Sequence, residues 1–140
     1  MLDDLFDLLE DHIRKSDVKI DAIVGLESRG FLIGPTLSLR LKLPFIPVRK
    51  AGKLPGKCKS VAYELEYGKD VFEIQEESIR NGMNCVIVDD LLATGGSIKT
   101  AVDLIQQCGA HVSEAIVVVE LIDLKGQSSA NTKIFSLLKY

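Results

Sequence analysis

Four stretches of this chain are apolar almost from end to end and only as long as a strand: DAIVG (21–25), PFIPVR (44–49), CVIVDD (85–90) and EAIVVVELI (114–122). A strand with one wet face alternates apolar and polar side chains, whereas a strand apolar throughout is covered on both sides. Helical patterns stand before and between these runs. Leu2, Leu5, Phe6, Leu9 and Ile13 recur at helical spacing, GFLIGPTLSLRLK follows the first run, and Ile98, Ala101, Val102, Ile105 and Cys108 share a helix face that Gly109 is placed to end. The alternation predicts an α/β fold, a mainly parallel sheet flanked by helices on both faces. KIFSLLKY predicts a fifth strand at the end of the chain.

Local chemistry refines this outline. Pro35 is most comfortable in the first turn of its helix, where its missing N–H costs nothing. The prolines of PFIPVR are expected where no ladder donor is needed. RKAGKLPGKCK (49–59) is basic and rich in Gly and Pro, hence a loop. VAYELEYGKDVFEIQ alternates around Gly68, which predicts a hairpin or excursion, a flexible flap rather than a core element. No repeat, low-complexity tract or linker interrupts the 140 residues, so one domain over 1–140 is expected.

Charge and cysteine usage exclude some functions. With 17 basic and 20 acidic residues the net charge is -3, which argues against non-specific nucleic-acid or acidic-membrane binding. No run approaches the roughly 18 apolar residues of a membrane-spanning helix. The opening MLDDLFDLLEDHI is acidic and amphipathic, unlike a secretory leader. Cys58, Cys85 and Cys108 are odd in number and lack metal-ligand spacing, as expected of reduced thiols in a cytoplasmic protein. His12 and His111 are isolated and read as surface or helix-end residues.

In such sheets ligands bind at the carboxyl ends of the strands, and three strand exits carry unusual residues. Val88 is followed by Asp89 and Asp90, then by Ala93-Thr94-Gly95-Gly96-Ser97 opening a helix. Successive backbone N–H groups with little side-chain cover, at the positive end of a helix, suit a phosphate dianion. Thr94 and Ser97 add hydroxyl donors. The plain alternative is a loop with Ser97 as an ordinary N-cap. The two aspartates suit a cis-diol or a hydrated metal; their plain alternative is one helix cap and one solvated acid. The second exit, Leu26-Glu27-Ser28-Arg29-Gly30, offers another anion site with an arginine beside it, against a simple capped turn with a surface arginine. The third exit carries Arg49, Lys50, Lys53 and Lys57, against a solvated mobile loop.

Together the exits describe one ligand, with phosphate at one end, a diol in the middle and a more heavily charged anion at the other. That is the shape of phosphoribosyl pyrophosphate. GKLPGK (52–57) is one residue short of a nucleotide-binding P-loop and is followed by Cys58 instead of Ser or Thr. No G-x-G-x-x-G occurs.

VIVDDLLATGGS resembles the phosphoribosyl pyrophosphate signature of type I phosphoribosyltransferases. GLESRGF, RKAGKLPG, LEYGKD and FSLLKY resemble the adenine-specific branch of that family, a likeness running from about Asp21 to Tyr140. The resemblance implies the reaction adenine + phosphoribosyl pyrophosphate ⇌ AMP + pyrophosphate, in cytoplasmic purine salvage, by a homodimer. It implies that Asp89 and Asp90 hold the ribose hydroxyls and that Ala93, Thr94, Gly95, Gly96 and Ser97 wrap the 5′-phosphate. Ser28 and Arg29 would lie in the pyrophosphate loop, with Arg49, Lys50 and Lys53 as further pyrophosphate ligands. Glu66 and Tyr67 would sit on the flap, Glu66 moving a proton at the purine, and Leu121 would border the base. Mg²⁺ would be held mainly by substrate oxygens and water. Members of the family carry several tens of residues ahead of the helix that opens this chain, including a segment over the purine. An intact phosphoribosyl pyrophosphate half and a weakened purine pocket are therefore expected. A transferase for another base, or a non-catalytic regulator that senses the nucleotide, remains an alternative.

Overall fold

The apolar runs come together as one sheet. The computed structural model describes residues 1–65 and 68–140, the side chain of residue 65 excepted. Seven strands stand in the order β3-β4-β2-β1-β5-β6-β7: β1 (Ala22–Leu26), β2 (Phe45–Lys50), β3 (Cys58–Leu65), β4 (Gly68–Gln75), β5 (Asn84–Leu92), β6 (His111–Glu120) and β7 (Ile134–Lys139). β2, β1, β5, β6 and β7 run parallel, while β4 joins β2 antiparallel and β3 joins β4 antiparallel.

Successive side chains of a strand point to opposite faces, and here both faces are dry. Ala22, Val24, Cys85, Ile87, Ala115 and Val117 meet Ile98, Ala101, Val102, Leu104 and Ile105 of α3 (Gly96–Gln107). Ile23, Val86, Val88 and Ile116 meet Phe6, Leu9 and Ile13 of α1 (Leu2–Arg14) and Ile33 and Leu37 of α2 (Gly30–Leu41). The predicted α/β arrangement with helices on both faces is the one observed. Phe6 and Leu9 of α1 are buried. α1 is tied on by Arg40 of α2, which bonds Asp7 at 2.7 Å, and by His12, whose Nε2 lies 2.8 Å from Glu114 Oε1 on β6. His12 also stacks on Phe135, with ring centroids 3.6 Å apart. It is therefore an interior tie as well as a helix-end residue.

Three local expectations are corrected. Pro35 lies in the second turn of α2, because the helix begins at Gly30. The alternating segment does not stand apart from the core: β4 extends the main sheet, and its Phe72 and Ile74 are buried. The basic loop is shorter than the composition indicates, since Arg49 and Lys50 still belong to β2 and Cys58 already opens β3. The expectation for the prolines of β2 holds. Ile23 and Glu27 donate to the carbonyls of Pro44 and Val48, so alternate residues of β2 face β1. Pro47 faces the other side, where β4 pairs only from Arg49 onward.

Candidate active site

The sheet places three loops side by side at the carboxyl ends of β1, β2 and β5. β5 runs two residues past the acids: Asp89 pairs with Val117, and Leu91 and Leu92 pair with Val119 and Glu120. The aspartates are thus held by a strand on its way out, more firmly than acids at a frayed tip. Asp89 is half-buried, and its Oδ1 accepts the Asp90 N–H at 2.9 Å. Burial pushes the Asp89 carboxyl up to about 7. The Asp90 N–H bond works against that rise, the Asp90 charge adds to it, and Arg29 lowers it. Asp90 in turn pairs with Arg29, Oδ2 to Nε at 2.9 Å.

The next loop turns sharply into α3. Gly95 stands at its N-cap with φ of +87°, and no side chain caps the helix. The plain reading of Ser97 as an N-cap therefore fails, and the first-turn N–H groups keep their capacity for an anion. The sharpness of the turn depends on a partner that the sequence did not advertise. A Cβ on Gly95 would run into the carbonyl of Gly126, the first residue of the short helix α4 (Gly126–Ser129). α4 is fastened to the sheet through Glu120 of β6, whose Oε2 accepts from Gln127 Nε2 and Ser136 Oγ, each at 2.9 Å.

Two adjoining cavities open at these exits. The smaller, about 190 Å³, is lined by Arg29, Asp89 to Gly96, Ser97 and Ile98. The larger, about 450 Å³, is lined by Glu27, Ser28, Arg29, Lys50, Asp89 and Ser97. They share Arg29, Asp89 and Ser97, so they are two lobes of one cleft. Ten of the residues singled out from sequence meet here: Ser28, Arg29, Lys50, Asp89, Asp90, Ala93, Thr94, Gly95, Gly96 and Ser97. Leu121 lines neither lobe; it follows the last residue of β6, its N–H bonded to Leu92 O at 2.9 Å. Lys57 lies at the far end of the basic loop, where its carbonyl accepts the Glu76 N–H at 3.0 Å. Glu66 and Tyr67 lie outside the described residues.

Residues 1–137 match the phosphoribosyl transferase domain family. Adenine phosphoribosyltransferase 1 of Saccharomyces cerevisiae is 54% identical over 136 residues, covering 96% of this chain and 73% of the relative. The chain belongs to the adenine phosphoribosyltransferase family. Among solved family members, the Saccharomyces cerevisiae enzyme complexed with adenine and an imino-altritol bisphosphate superposes with a TM-score of 0.92, covering 96% of this chain and 77% of that one. The Trypanosoma brucei enzyme, in complex with AMP, pyrophosphate and ribose-5-phosphate, is 30% identical with a TM-score of 0.89, covering 96% and 62%. The chain spans about three quarters of the length of the yeast relative.

Sequence reasoning missed the anions of this phosphoribosyltransferase cleft. All four cations assigned to pyrophosphate have carboxylate partners. Arg29 pairs with Asp90, Arg49 Nε with Glu27 Oε1 at 3.2 Å, Lys53 Nζ with Glu27 Oε2 at 2.5 Å, and Lys50 Nζ with Asp70 Oδ2 at 3.1 Å. The Lys50 bond holds the Asp70 carboxyl below its usual range, against its burial. Burial and the Asp70 charge push the Tyr63 hydroxyl beside it up to about 12. The available signal was Glu27 itself, an acid inside a turn read only for its anion-binding groups.

Magnesium can be tested against this donor set. Among the described residues no three His, Cys, Asp or Glu side chains gather as a metal cage. Two adjacent carboxylates, one of them paired with Arg29, suit a hydrated ion that arrives on ligand oxygens and keeps its waters. The residues fit magnesium in that form. Among the described residues no helix is long and apolar enough to cross a membrane.

Proposed function

We propose that the chain, acting as one phosphoribosyltransferase domain over residues 1–140, converts adenine and phosphoribosyl pyrophosphate into AMP and pyrophosphate. The observation that carries this reading is the meeting of Asp89, Asp90, the bare N-terminus of α3 and Arg29 in one cleft of a chain that is 54% identical to a curated adenine phosphoribosyltransferase. The 5′-phosphate takes the N–H groups of residues 95–97 with the hydroxyls of Thr94 and Ser97. Asp89 and Asp90 accept the two ribose hydroxyls and so fix the ring. The pyrophosphate then points to Ser28, Arg29, Arg49, Lys50 and Lys53.

As the C1′–O bond breaks, the leaving pyrophosphate keeps the electron pair and positive charge develops on the sugar. Arg29 and the lysines stabilise the leaving group, while the neighbouring aspartates hold the cationic ring in position. Bound mainly through the ligand's own oxygens and water, with Asp89 and Asp90 facing that hydrated ion, magnesium would supply further positive charge for the leaving group. The purine N9 bonds to C1′, and Glu66 takes the proton that N9 gives up. Tyr67 and Leu121 border the base. The reading extends to a homodimer working in cytoplasmic purine salvage.

Product assays with adenine, hypoxanthine, guanine and uracil test the proposal. AMP from adenine alone supports it. Turnover of another base would make the chain a transferase for that base. Nucleotide binding with no turnover of any base would make it a regulator.

A further inference from the structure

The cations at the pyrophosphate end are already engaged by the protein itself, and Glu27 is the centre of that engagement. Its side chain is only 10% exposed, yet it lines the larger lobe of the cleft. Its carboxylate receives Arg49 Nε at 3.2 Å, the Lys50 N–H at 3.0 Å and Lys53 Nζ at 2.5 Å. Burial opposes ionisation, but the Lys53 and Lys50 bonds and the charges of Lys53 and Arg49 outweigh it and hold this carboxyl below its usual range. Lys53 sits on the loop between β2 and β3 with its side chain 46% exposed, and Glu27 is the partner that draws it toward the cleft. In these ion pairs four cations face the three carboxylates Glu27, Asp70 and Asp90, so most of their charge is already compensated before an anion arrives.

We propose that Glu27 is an internal stand-in for the pyrophosphate, holding Arg49 and Lys53 while the ligand is away and yielding them when it arrives. This rests on the function proposed above and deepens it. The carboxylate keeps long, flexible cations gathered, and it also competes with the ligand for them. The competition lowers affinity for pyrophosphate and so speeds its departure as a product. A cluster of four uncompensated cations would bind pyrophosphate more tightly and release it more slowly.

Calorimetric titration of the full chain and of Glu27→Gln with magnesium pyrophosphate, and separately with ribose 5-phosphate, tests this. Glutamine keeps an acceptor for the Lys50 N–H and removes the competing charge. Pyrophosphate should bind about tenfold tighter and with a steeper dependence on salt. Ribose 5-phosphate, held at the other end, should bind unchanged. In steady state, kcat should fall while kcat/KM for phosphoribosyl pyrophosphate rises, a split that a general loss of packing does not produce. Unchanged or weaker pyrophosphate binding would overturn the proposal. If Glu27→Gln does not fold, Glu27→Asp decides, since its shorter arm cannot reach both cations: tighter binding than the parent supports the proposal, equal or weaker binding overturns it. A parent chain that binds neither ligand would sink the proposed function, whereas normal parent binding with an unaltered variant would sink only the role of Glu27.

Discussion

The two ends of the cleft are built on different principles. At the phosphate end the donors are backbone N–H groups fixed by a turn, a helix and a second helix behind it. At the proposed pyrophosphate end they are long side chains from the turn before α2, from the end of β2 and from the loop after it, each paired with a carboxylate. On the proposals above, the first end is ready before the ligand comes, whereas the second is rearranged by ligand binding and restored by its release. This division suits a reaction in which the 5′-phosphate stays on the sugar throughout and pyrophosphate leaves.

Between the ends stand the paired acids, and removing them should have the largest effect. Asp89→Asn with Asp90→Asn should lower turnover by about three orders of magnitude, since both the ribose and the cationic ring lose their anchor. The thermal midpoint should stay level or rise, because one buried acid and a repulsion between neighbours are removed. Unfolding of the double variant would show that the acids serve the fold, and would join the two ends into one structural unit.

Next in size is Glu66→Gln, which should lower kcat about a hundredfold and remove one limb of its pH profile. Titrations with pyrophosphate and ribose 5-phosphate should read the same as in the parent, leaving both ends intact. A normal kcat would take proton transfer away from Glu66.

Gly95→Ala strikes the backbone-built end alone. A methyl group there combines a left-handed backbone with a collision at Gly126 O. Affinity for ribose 5-phosphate should fall by tens of times and the midpoint by several degrees, a cost of order 1–3 kcal/mol. Pyrophosphate affinity should hold. Equal losses for both ligands would erase the distinction between the ends.

The smallest expected effect is on pH. Asp89 titrates near 7, well above an ordinary aspartate at 3.8. Ribose 5-phosphate affinity should therefore rise severalfold between about pH 6 and pH 8 as the carboxylate forms. Stability should move the other way: an acid whose folded pKa lies above its unfolded value is penalised when ionised, so stability declines from about pH 4 up through 7. Asp89→Asn should flatten both curves. Melting curves across that range together with titrations check the two signs.

Much of this was legible because it is local. Uniformly apolar strands predicted a sheet covered on both sides, and the run Ala93 to Ser97 predicted a bare turn opening α3. What stayed hidden depends on partners far along the chain. β4 joins the main sheet through Arg49–Glu73 and Lys50–Phe72 pairs that alternation cannot specify. The burial of Phe6 and Leu9 likewise depends on α2 and the sheet, far along the chain. Glu27 was hidden for another reason. A carboxylate beside an anion-binding turn looks like a contradiction until the cations from β2 and its loop are seen to reach it.

The contact between Gly95 and Gly126 bears on how far the phosphate loop can be moved or varied. Gly126 is itself crowded, since a Cβ there would strike Ala93 O and the Leu92 side chain. Residues 95 and 126 thus press backbone against backbone, and enlarging one leaves no slack that enlarging the other could take up. In a library of variants they should count as a single position, with no second substitution at one rescuing the first at the other. The same holds for transplantation. Ala93 to Ser97 grafted onto another strand–helix junction would lack the surface against which its turn is folded. If the loop grips phosphate as proposed, its smallest portable form is the loop together with α4, two pieces that the sequence keeps about thirty residues apart.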